Sequence, residues 1–136
     1  MDIAEAVAFV SSHHHAILAT RRADRRPQLS PIAVAVDDSG RLLISTREPA
    51  VKTRNIRRDP NVSLCVLSDG FFGSWVQLDG TAEIVELPDA LELLEAAYRQ
   101  IAGDHPDWDD FRRAMVAERR VALRITVSAA GPNISG

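Results

Sequence analysis

The sequence predicts a single mainly β domain over residues 1–136, built as a six-stranded antiparallel barrel with helices on its outside. Of the 136 residues, 46% are apolar and 26% charged, a balance typical of one compact soluble domain. Six short segments alternate apolar side chains with others, as strands with one buried face do. The links between the first three are too short for the crossovers that parallel strands need.

The first part of the chain predicts one helix and three strands. Apolar side chains at helical spacing over residues 2–12 predict a short amphipathic helix. Three alternating runs follow, separated by a polar link and by a turn rich in Asp, Ser and Gly, which is typical of antiparallel hairpins. These strands are predicted at residues 15–20, 27–36 and 42–46.

The second part predicts three helices and three strands. A short basic helix includes Pro49 in its first turn and ends at Asp59 and Pro60. A helical pair is predicted at residues 87–101 and 108–115. The strands are predicted at residues 62–66, 75–85 and 121–127. The tail 129–136 contains Gly and Pro and is predicted to be mobile in isolation.

Composition excludes several classes of protein. The longest apolar stretches are far shorter than the roughly 18–20 residues of a membrane span, so no membrane span is predicted. The first five residues include two acidic side chains and no basic one, and they lack the basic and apolar regions of a secretory signal, so we expect a cytoplasmic protein. The single cysteine, Cys65, cannot form an internal disulfide and is predicted to be a small buried thiol.

Charge is distributed unevenly along the chain. The net charge is −3, yet residues 21–58 carry ten basic and four acidic side chains, whereas residues 79–110 carry ten acidic and one basic. An anionic ligand is therefore expected at the basic segment. Nucleic acid is disfavoured as a partner, because the chain is acidic overall and its aromatic residues do not alternate with basic ones.

Motifs for metal and nucleotide chemistry are missing. The sequence has no GxSxG, HExxH, CxxC, Walker or GxGxxG pattern. The consecutive residues His13, His14 and His15 do not predict a metal site, because neighbours on a strand point to opposite faces. The acidic cluster at 104–110 begins a predicted helix, where negative charge is favoured without any cation. We predict no metal.

The most informative segment is the basic helix. Lys52 and Asn55 lie three residues apart on one face, while Arg54, Arg57 and Arg58 occupy another. Amide groups at the start of such a helix attract phosphate or carboxylate, although spacing alone favours a solvated basic helix.

Aromatic residues leave two interpretations open. Trp75, with Phe71 and Phe72 in the loop before it, is suited to stacking on an aromatic cofactor or to packing between subunits.

Several long motifs together resemble one family. They are Arg26-Pro27-Gln28-Leu29-Ser30, Glu48-Pro49 followed by Lys52-Thr53-Arg54-Asn55-Ile56-Arg57-Arg58-Asp59-Pro60, and Tyr98-Arg99-Gln100-Ile101-Ala102-Gly103 with Trp108-Asp109-Asp110-Phe111. In this order they resemble the pyridoxamine 5'-phosphate oxidase-like proteins with the FMN-binding type of split β-barrel. Within that group the chain is similar to the actinobacterial deazaflavin-dependent reductases that use coenzyme F420.

The resemblance implies a homodimer with two equivalent cofactor grooves at the subunit interface. In similar proteins the Lys and Asn of the K-T-R-N segment hold the cofactor phosphate, here Lys52 and Asn55. Some relatives carry a further base where this chain has Ala50; Arg47 is the candidate to replace it, and Arg54 is a further one. The ring is expected to lie along one strand and the end of the next, at Pro27, Gln28, Leu29, Ser30, Ser45 and Thr46.

The resemblance also implies an activity. We expect an F420-dependent reductase that transfers a hydride from reduced F420 to an electron-poor small molecule, such as an enone, a quinone or a tetrapyrrole-like system. The alternatives are an FMN-dependent oxidoreductase of the same fold and a non-catalytic flavin or deazaflavin carrier. No side chain is predicted to be the proton donor.

Overall fold

Seven antiparallel strands form one sheet that curves into a barrel, and four helices pack against it. The computed structural model describes residues 1–131. The helices are α1 (Ile3–Val10), α2 (Val51–Arg58), α3 (Ala90–Ala102) and α4 (Trp108–Ala117). The strands are β1 (His15–Arg21), β2 (Pro27–Ala33), β3 (Ala35–Val36), β4 (Leu42–Arg47), β5 (Asn61–Leu67), β6 (Trp75–Val85) and β7 (Arg120–Gly131).

The sheet order explains how the barrel closes. The strands follow one another as β2-β1-β5-β6-β7-β4-β3, so the two ends of the sheet are β2 and β3. These ends are consecutive in the chain and are separated only by Val34. The predicted barrel architecture is confirmed, with helices at its periphery.

The number of strands differs from the prediction, because the predicted second strand is divided in two at Val34. The amide of this buried residue donates to the backbone oxygen of His14 at 2.8 Å, and its own oxygen lies 2.8 Å from the His14 Nδ1. Before Val34, β2 pairs with β1; after Val34, β3 pairs with β4. Larger apolar residues continue to alternate with alanine through the bend at Val34. The sequence pattern therefore does not reveal that the strand is divided there.

The main core fills the barrel. Its largest fully buried side chains alternate along the strands and include Leu18, Leu64, Leu78, Leu123 and Ile125. Helix α1 adds Ala6 and Val10 to the same core. A second core beneath α3 and α4 contains Ala90, Leu94, Phe111 and Ala122, and it fixes these two helices against β7.

Helix α2 is shorter than the predicted segment. Thr46 and Arg47 remain in β4, where they pair with Val121 and Arg120 of β7. The helix begins at Val51, and its N-cap, Ala50, supplies no side-chain hydrogen bond. The hydroxyl of Thr53 donates instead to the Arg47 backbone oxygen at 2.8 Å, which ties the first turn of the helix to the end of the strand.

The end of the chain extends the sheet. Residues 129–131 pair with β6, and the remainder of the tail that was predicted to be mobile lies outside the described residues. Within residues 1–131, no helix has both the length and the apolar character needed to cross a membrane.

Candidate functional site

A cleft of about 790 Å³ lies between the barrel and the helices α2, α3 and α4. Its volume falls within the range of roughly 300–1,000 Å³ that is usual for small-molecule sites. One wall is formed by the ends of β2 and β4, with residues 31–33 and 45–47. The opposite wall is formed by α3, α4 and the loop between them. Ala50 and Lys52 close one end.

Three basic side chains meet at this end of the cleft: Arg47, Lys52 and Arg120. Arg47 and Arg120 are paired across β4 and β7, so their positions depend on the register of the sheet. Burial, and secondarily the positive charge of Arg120, lower the pKa of Lys52 below its ordinary value of 10.5. A bound anion would stabilise the protonated amine against both effects, so this end of the cleft favours an anionic ligand.

Acidic side chains near this end are paired with arginines, and one of these is Arg120 of the cleft itself. The Glu48 carboxylate contacts Arg119 at 2.8 Å and Arg57 at 3.7 Å, and Glu118 contacts Arg120 at 2.9 Å. Within the described part of the chain, no carboxylate lies within 4.0 Å of the Lys52 amine or the Arg47 guanidinium. The cleft end therefore keeps an excess of positive charge.

The structure brings together four of the predicted site residues. Ser45, Thr46, Arg47 and Lys52 all line the cleft. The first three belong to the end of β4, and Lys52 belongs to the first turn of α2 that follows it. Their proximity follows from one short connection, which is why a sequence pattern was able to group them.

Two predicted residues on α2 lie away from the cleft. Asn55 is 4% exposed; its Nδ2 donates to the Thr20 hydroxyl at 3.1 Å and its Oδ1 accepts from Arg58 at 2.8 Å. The first of these bonds joins α2 to β1, and the second lies within α2. Arg54 is exposed and does not line the cleft. Three residues advance a helix by about 300°, which is about 60° short of a full turn. The side chains of Lys52 and Asn55 therefore point about 60° apart around the helix axis, so that one faces the cleft and the other the barrel.

The predicted ring-binding strand 27–30 lies beside the cleft without lining it. Leu29 faces outward and is 63% exposed, whereas the Gln28 side chain accepts from the Thr20 hydroxyl at 3.2 Å. The Ser30 hydroxyl oxygen is buried and has no hydrogen-bond partner among residues 1–131. The next residues of the same strand, 31–33, do reach the cleft.

The sequence interpretation missed the helical wall. Tyr98, His105 and Phe111 line the cleft, and their rings pack together with Trp108, with centroids 5.2 Å apart for Tyr98 and His105. The spacing of Tyr98 and Phe111 showed only that they face a core. Arg120 was missed because its approach to Lys52 depends on the pairing of β7 with β4.

The histidine run and the exposed aromatic residues lie outside the cleft. His13 Nδ1 lies 3.0 Å from the Phe9 backbone oxygen and its ring stacks on Phe9, while His14 contacts Val34. Phe71 and Phe72 are 72% and 97% exposed in the loop between β5 and β6.

The outer surface of β1, β2, β5 and β6 carries apolar side chains. Ile17, Leu29, Cys65, Leu67 and Trp75 face outward here, since the residues between them face the core. We call this surface the outer face. Cys65 is half-buried on it, not fully buried as predicted, and partial burial raises the pKa of its thiol. A shallow groove on this face shares residues 31–33 with the cleft, so the two surfaces are continuous.

Comparisons with known proteins assign the family. The pyridoxamine 5'-phosphate oxidase family model matches residues 3–132. A conserved hypothetical protein from Mycobacterium tuberculosis is 31% identical, with coverage of 100% of this chain and 92% of its own and a TM-score of 0.78. An F420 reductase is 22% identical, with coverage of 91% and 94% and a TM-score of 0.70.

A heme binding protein from Mycobacterium smegmatis is 18% identical over 96% of this chain and 53% of its own, with a TM-score of 0.70. At these lower identities the last two structures show the fold alone. The family model spans nearly the whole chain and confirms the resemblance carried by the motifs, so the protein belongs to the pyridoxamine 5'-phosphate oxidase family.

Proposed function

We propose that the protein is an F420-dependent reductase that passes a hydride to an electron-poor conjugated small molecule. The observation that carries this proposal is the arrangement of the cleft, in which a cationic end adjoins largely apolar walls. The family binds flavin-type cofactors, which combine a phosphate with a planar ring system. The similarity of fold to an F420 reductase supports the choice of F420.

The residues of the cleft fit such a cofactor. Lys52, Arg47 and Arg120 would hold its phosphate, because the described residues leave the first two of these cations without an acidic partner. The β2 segment 31–33 would lie against the ring, with Ser45 and Thr46 beside it. When bound, the cofactor supplies the hydride.

The chain itself contributes binding, orientation and shielding. A phosphate held by the lysine and arginines fixes one end of the cofactor, and the wall at β2 and β4 then sets the plane of its ring. Helices α3 and α4 cover the cleft from the other side and restrict the access of water. Asn55 supports this arrangement by holding α2 in place.

The experiment that tests the proposal is a titration of the purified protein with F420 and, separately, with FMN at matched ionic strength, followed by absorbance or fluorescence. We expect F420 to bind at least about tenfold more tightly, a difference of about 1.4 kcal/mol. Tighter binding of FMN would assign the protein to the flavin branch of the family. Tight binding of F420 with no hydride transfer to enones, quinones or tetrapyrroles would indicate a carrier.

Raising the pH is expected to weaken cofactor binding earlier than an ordinary lysine would. Only the protonated amine of Lys52 attracts the phosphate, and its pKa lies below 10.5 in the free protein. Affinity is therefore full at lower pH and falls as the pH rises through this lowered pKa. Titrations between about pH 7 and pH 10 measure the effect.

The control for this prediction is Lys52→Arg, whose guanidinium stays protonated throughout the range. Its affinity should stay constant where that of the wild type declines. An equal decline in both proteins would assign the pH dependence to another group.

We also propose that the protein forms a homodimer through the outer face. An exposed apolar surface of this kind is typical of subunit interfaces. Leu29 is 63% and Trp75 37% exposed on it, and its shallow groove runs into the cleft through residues 31–33. A second copy seated on this face would reach the edge of the cleft and complete the cofactor groove. The strand 27–30 would then contact the cofactor from the interface side.

Leu29→Asp is expected to convert the dimer into a monomer, because it places a charge in the apolar contact at the most exposed of its named side chains. Sedimentation or light scattering measures the mass, and the cofactor affinity should decrease in parallel. Val116→Asp is the matched control, since Val116 is 58% exposed on α4 and lies off the outer face. A Leu29→Asp protein that remains dimeric would place the interface elsewhere.

A further inference from the structure

His105 is a polar group in the otherwise largely apolar helical wall of the cleft. It belongs to the loop between α3 and α4 and lines the cleft beside Ile101 and Phe111. The proposed binding of the cofactor uses the barrel wall and the cationic end, and it leaves this imidazole without a role. Its position opposite the barrel wall is where a molecule stacked on the cofactor ring would lie.

The imidazole is fixed in place by its neighbours. Its ring centroid lies 5.2 Å from that of Tyr98 and 5.6 Å from those of Trp108 and Phe111. Trp108 is itself held, since its Nε1 donates to Asp104 at 3.0 Å and the Arg99 guanidinium lies 4.3 Å over its ring. The imidazole therefore presents a defined edge to the cleft.

One hydrogen bond determines which nitrogen carries the proton. The Asp107 backbone amide donates to the His105 Nδ1 at 2.9 Å. A nitrogen that accepts a hydrogen bond carries no proton, so the neutral imidazole is protonated at Nε2. Among residues 1–131, no group accepts a hydrogen bond from this Nε2. His105 lines the cleft, so this N–H is available there as a hydrogen-bond donor to a ligand.

We propose that His105 donates a hydrogen bond from Nε2 to the carbonyl oxygen of the reducible acceptor, which is an uncharged conjugated ketone or quinone. This inference rests on the proposed function and specifies its substrate class. An oxygen acceptor is required because the imidazole offers a donor. An uncharged acceptor is favoured because the Asp110 carboxylate on the same wall repels an anionic one and the basic side chains at the cleft end repel a cationic one.

The chemistry balances for an enone. A hydride from the reduced deazaflavin adds to the β-carbon, the C=C electron pair shifts toward the carbonyl, and an enolate forms with its negative charge on oxygen. The hydrogen bond from Nε2–H to this oxygen would strengthen as the charge develops, which lowers the barrier. Water then delivers a proton to the α-carbon. The acceptor gains a hydride and a proton, and the cofactor is oxidised by two electrons.

The test uses 2-cyclohexen-1-one labelled with carbon-13 at its carbonyl and the protein saturated with the oxidised form of whichever cofactor binds more tightly. No turnover occurs, so the measurement reports binding alone. We expect the carbonyl resonance to move downfield in the complex and the nitrogen-15 resonance of His105 Nε2 to respond to the ketone. The nitrogen-15 measurement uses the wild-type protein, so its result does not depend on whether a variant folds.

Three variants identify the donor. His105→Phe should bind the ketone about five- to tenfold more weakly and lose the downfield shift, because one hydrogen bond is removed. His105→Gln retains an amide donor and should recover part of the shift. His13→Phe is the matched control, as another half-buried histidine outside the cleft, and should behave like the wild type.

The outcomes separate the two proposals. An unchanged carbonyl shift and affinity in His105→Phe, or a His105 Nε2 resonance that ignores the ketone, would overturn the role of His105 while the cofactor proposal stands. Failure of the wild-type protein to bind either cofactor would overturn the proposed function, and this inference with it.

Discussion

Replacing Lys52 with alanine is expected to raise the dissociation constant of the phosphate-bearing cofactor by roughly 10- to 100-fold, since a hydrogen bond to a charged group contributes about 1.5–3 kcal/mol. The amine lies in the first turn of α2, at the end of the cleft where Arg47 and Arg120 also meet. Alanine leaves the two arginines, so binding should be weakened and not abolished. Titration of both proteins with F420 measures the change.

A second measurement separates a binding role from a structural one. Burial and the neighbouring Arg120 disfavour the protonated amine, as the lowered pKa of Lys52 indicates. Its removal should therefore leave the thermal midpoint of the cofactor-free protein unchanged or slightly higher. Affinity would then fall without any fall in stability. The loss of a purely structural residue does not produce this combination.

Arg54→Ala is the matched control. This residue is a base on the same helix, two positions away, and it is exposed and off the cleft. We expect its affinity for the cofactor to remain within about twofold of the wild type, as for a screened surface charge. Equal losses for Lys52→Ala and Arg54→Ala would show a diffuse attraction of the basic helix and contradict a defined phosphate site.

Replacing Gly80 with alanine is expected to destabilise the protein by about 3 kcal/mol, among the larger effects of one added methyl group. Gly80 lies in β6 at the point where the register with β7 shifts. A Cβ atom there would collide with the backbone oxygen of Thr126 and lie 3.1 Å from the Ile125 Cγ2. The backbone oxygen cannot retreat without disturbing the pairing of β6 with β7.

Thermal or denaturant unfolding measures this effect, and a decrease in the thermal midpoint of about 10 °C is expected for a domain of this size. Gly70→Ala is the control, because nothing lies within 4 Å of a Cβ at that position. Alanine there should be neutral or slightly stabilising, since it restricts the unfolded chain. Equal stability of the two variants would show that β6 and β7 separate at Gly80 at little cost.

The sequence alone was enough to predict most of the helices and strands and the family. Alternation with a period of two predicts the strands because one face of each strand is buried, and helical spacing predicts α1, α3 and α4 for the same reason. Lys52 was predictable because the basic segment is contiguous and its motif resembles a family that the whole chain matches. Ser45 and Thr46 were predictable with it, since one short connection joins them to α2.

Only the tertiary structure decided which of these residues share a site. Arg120 meets Lys52 because β7 pairs with β4 in one register, and a shift by one residue would turn the side chain to the opposite face. Asn55 faces the barrel because the packing of α2 on β1 sets the rotation of the helix, and its polar atoms are satisfied there. His105 faces the cleft because α3 and α4 pack on β7.

These positions depend on contacts between segments far apart in the chain. A periodic pattern records whether a side chain is buried, and it contains no information on what that side chain is buried against. Most strands and helices, and the place of Lys52 at the cleft, were therefore predictable from the sequence. The second wall of the cleft, and the imidazole within it, were not.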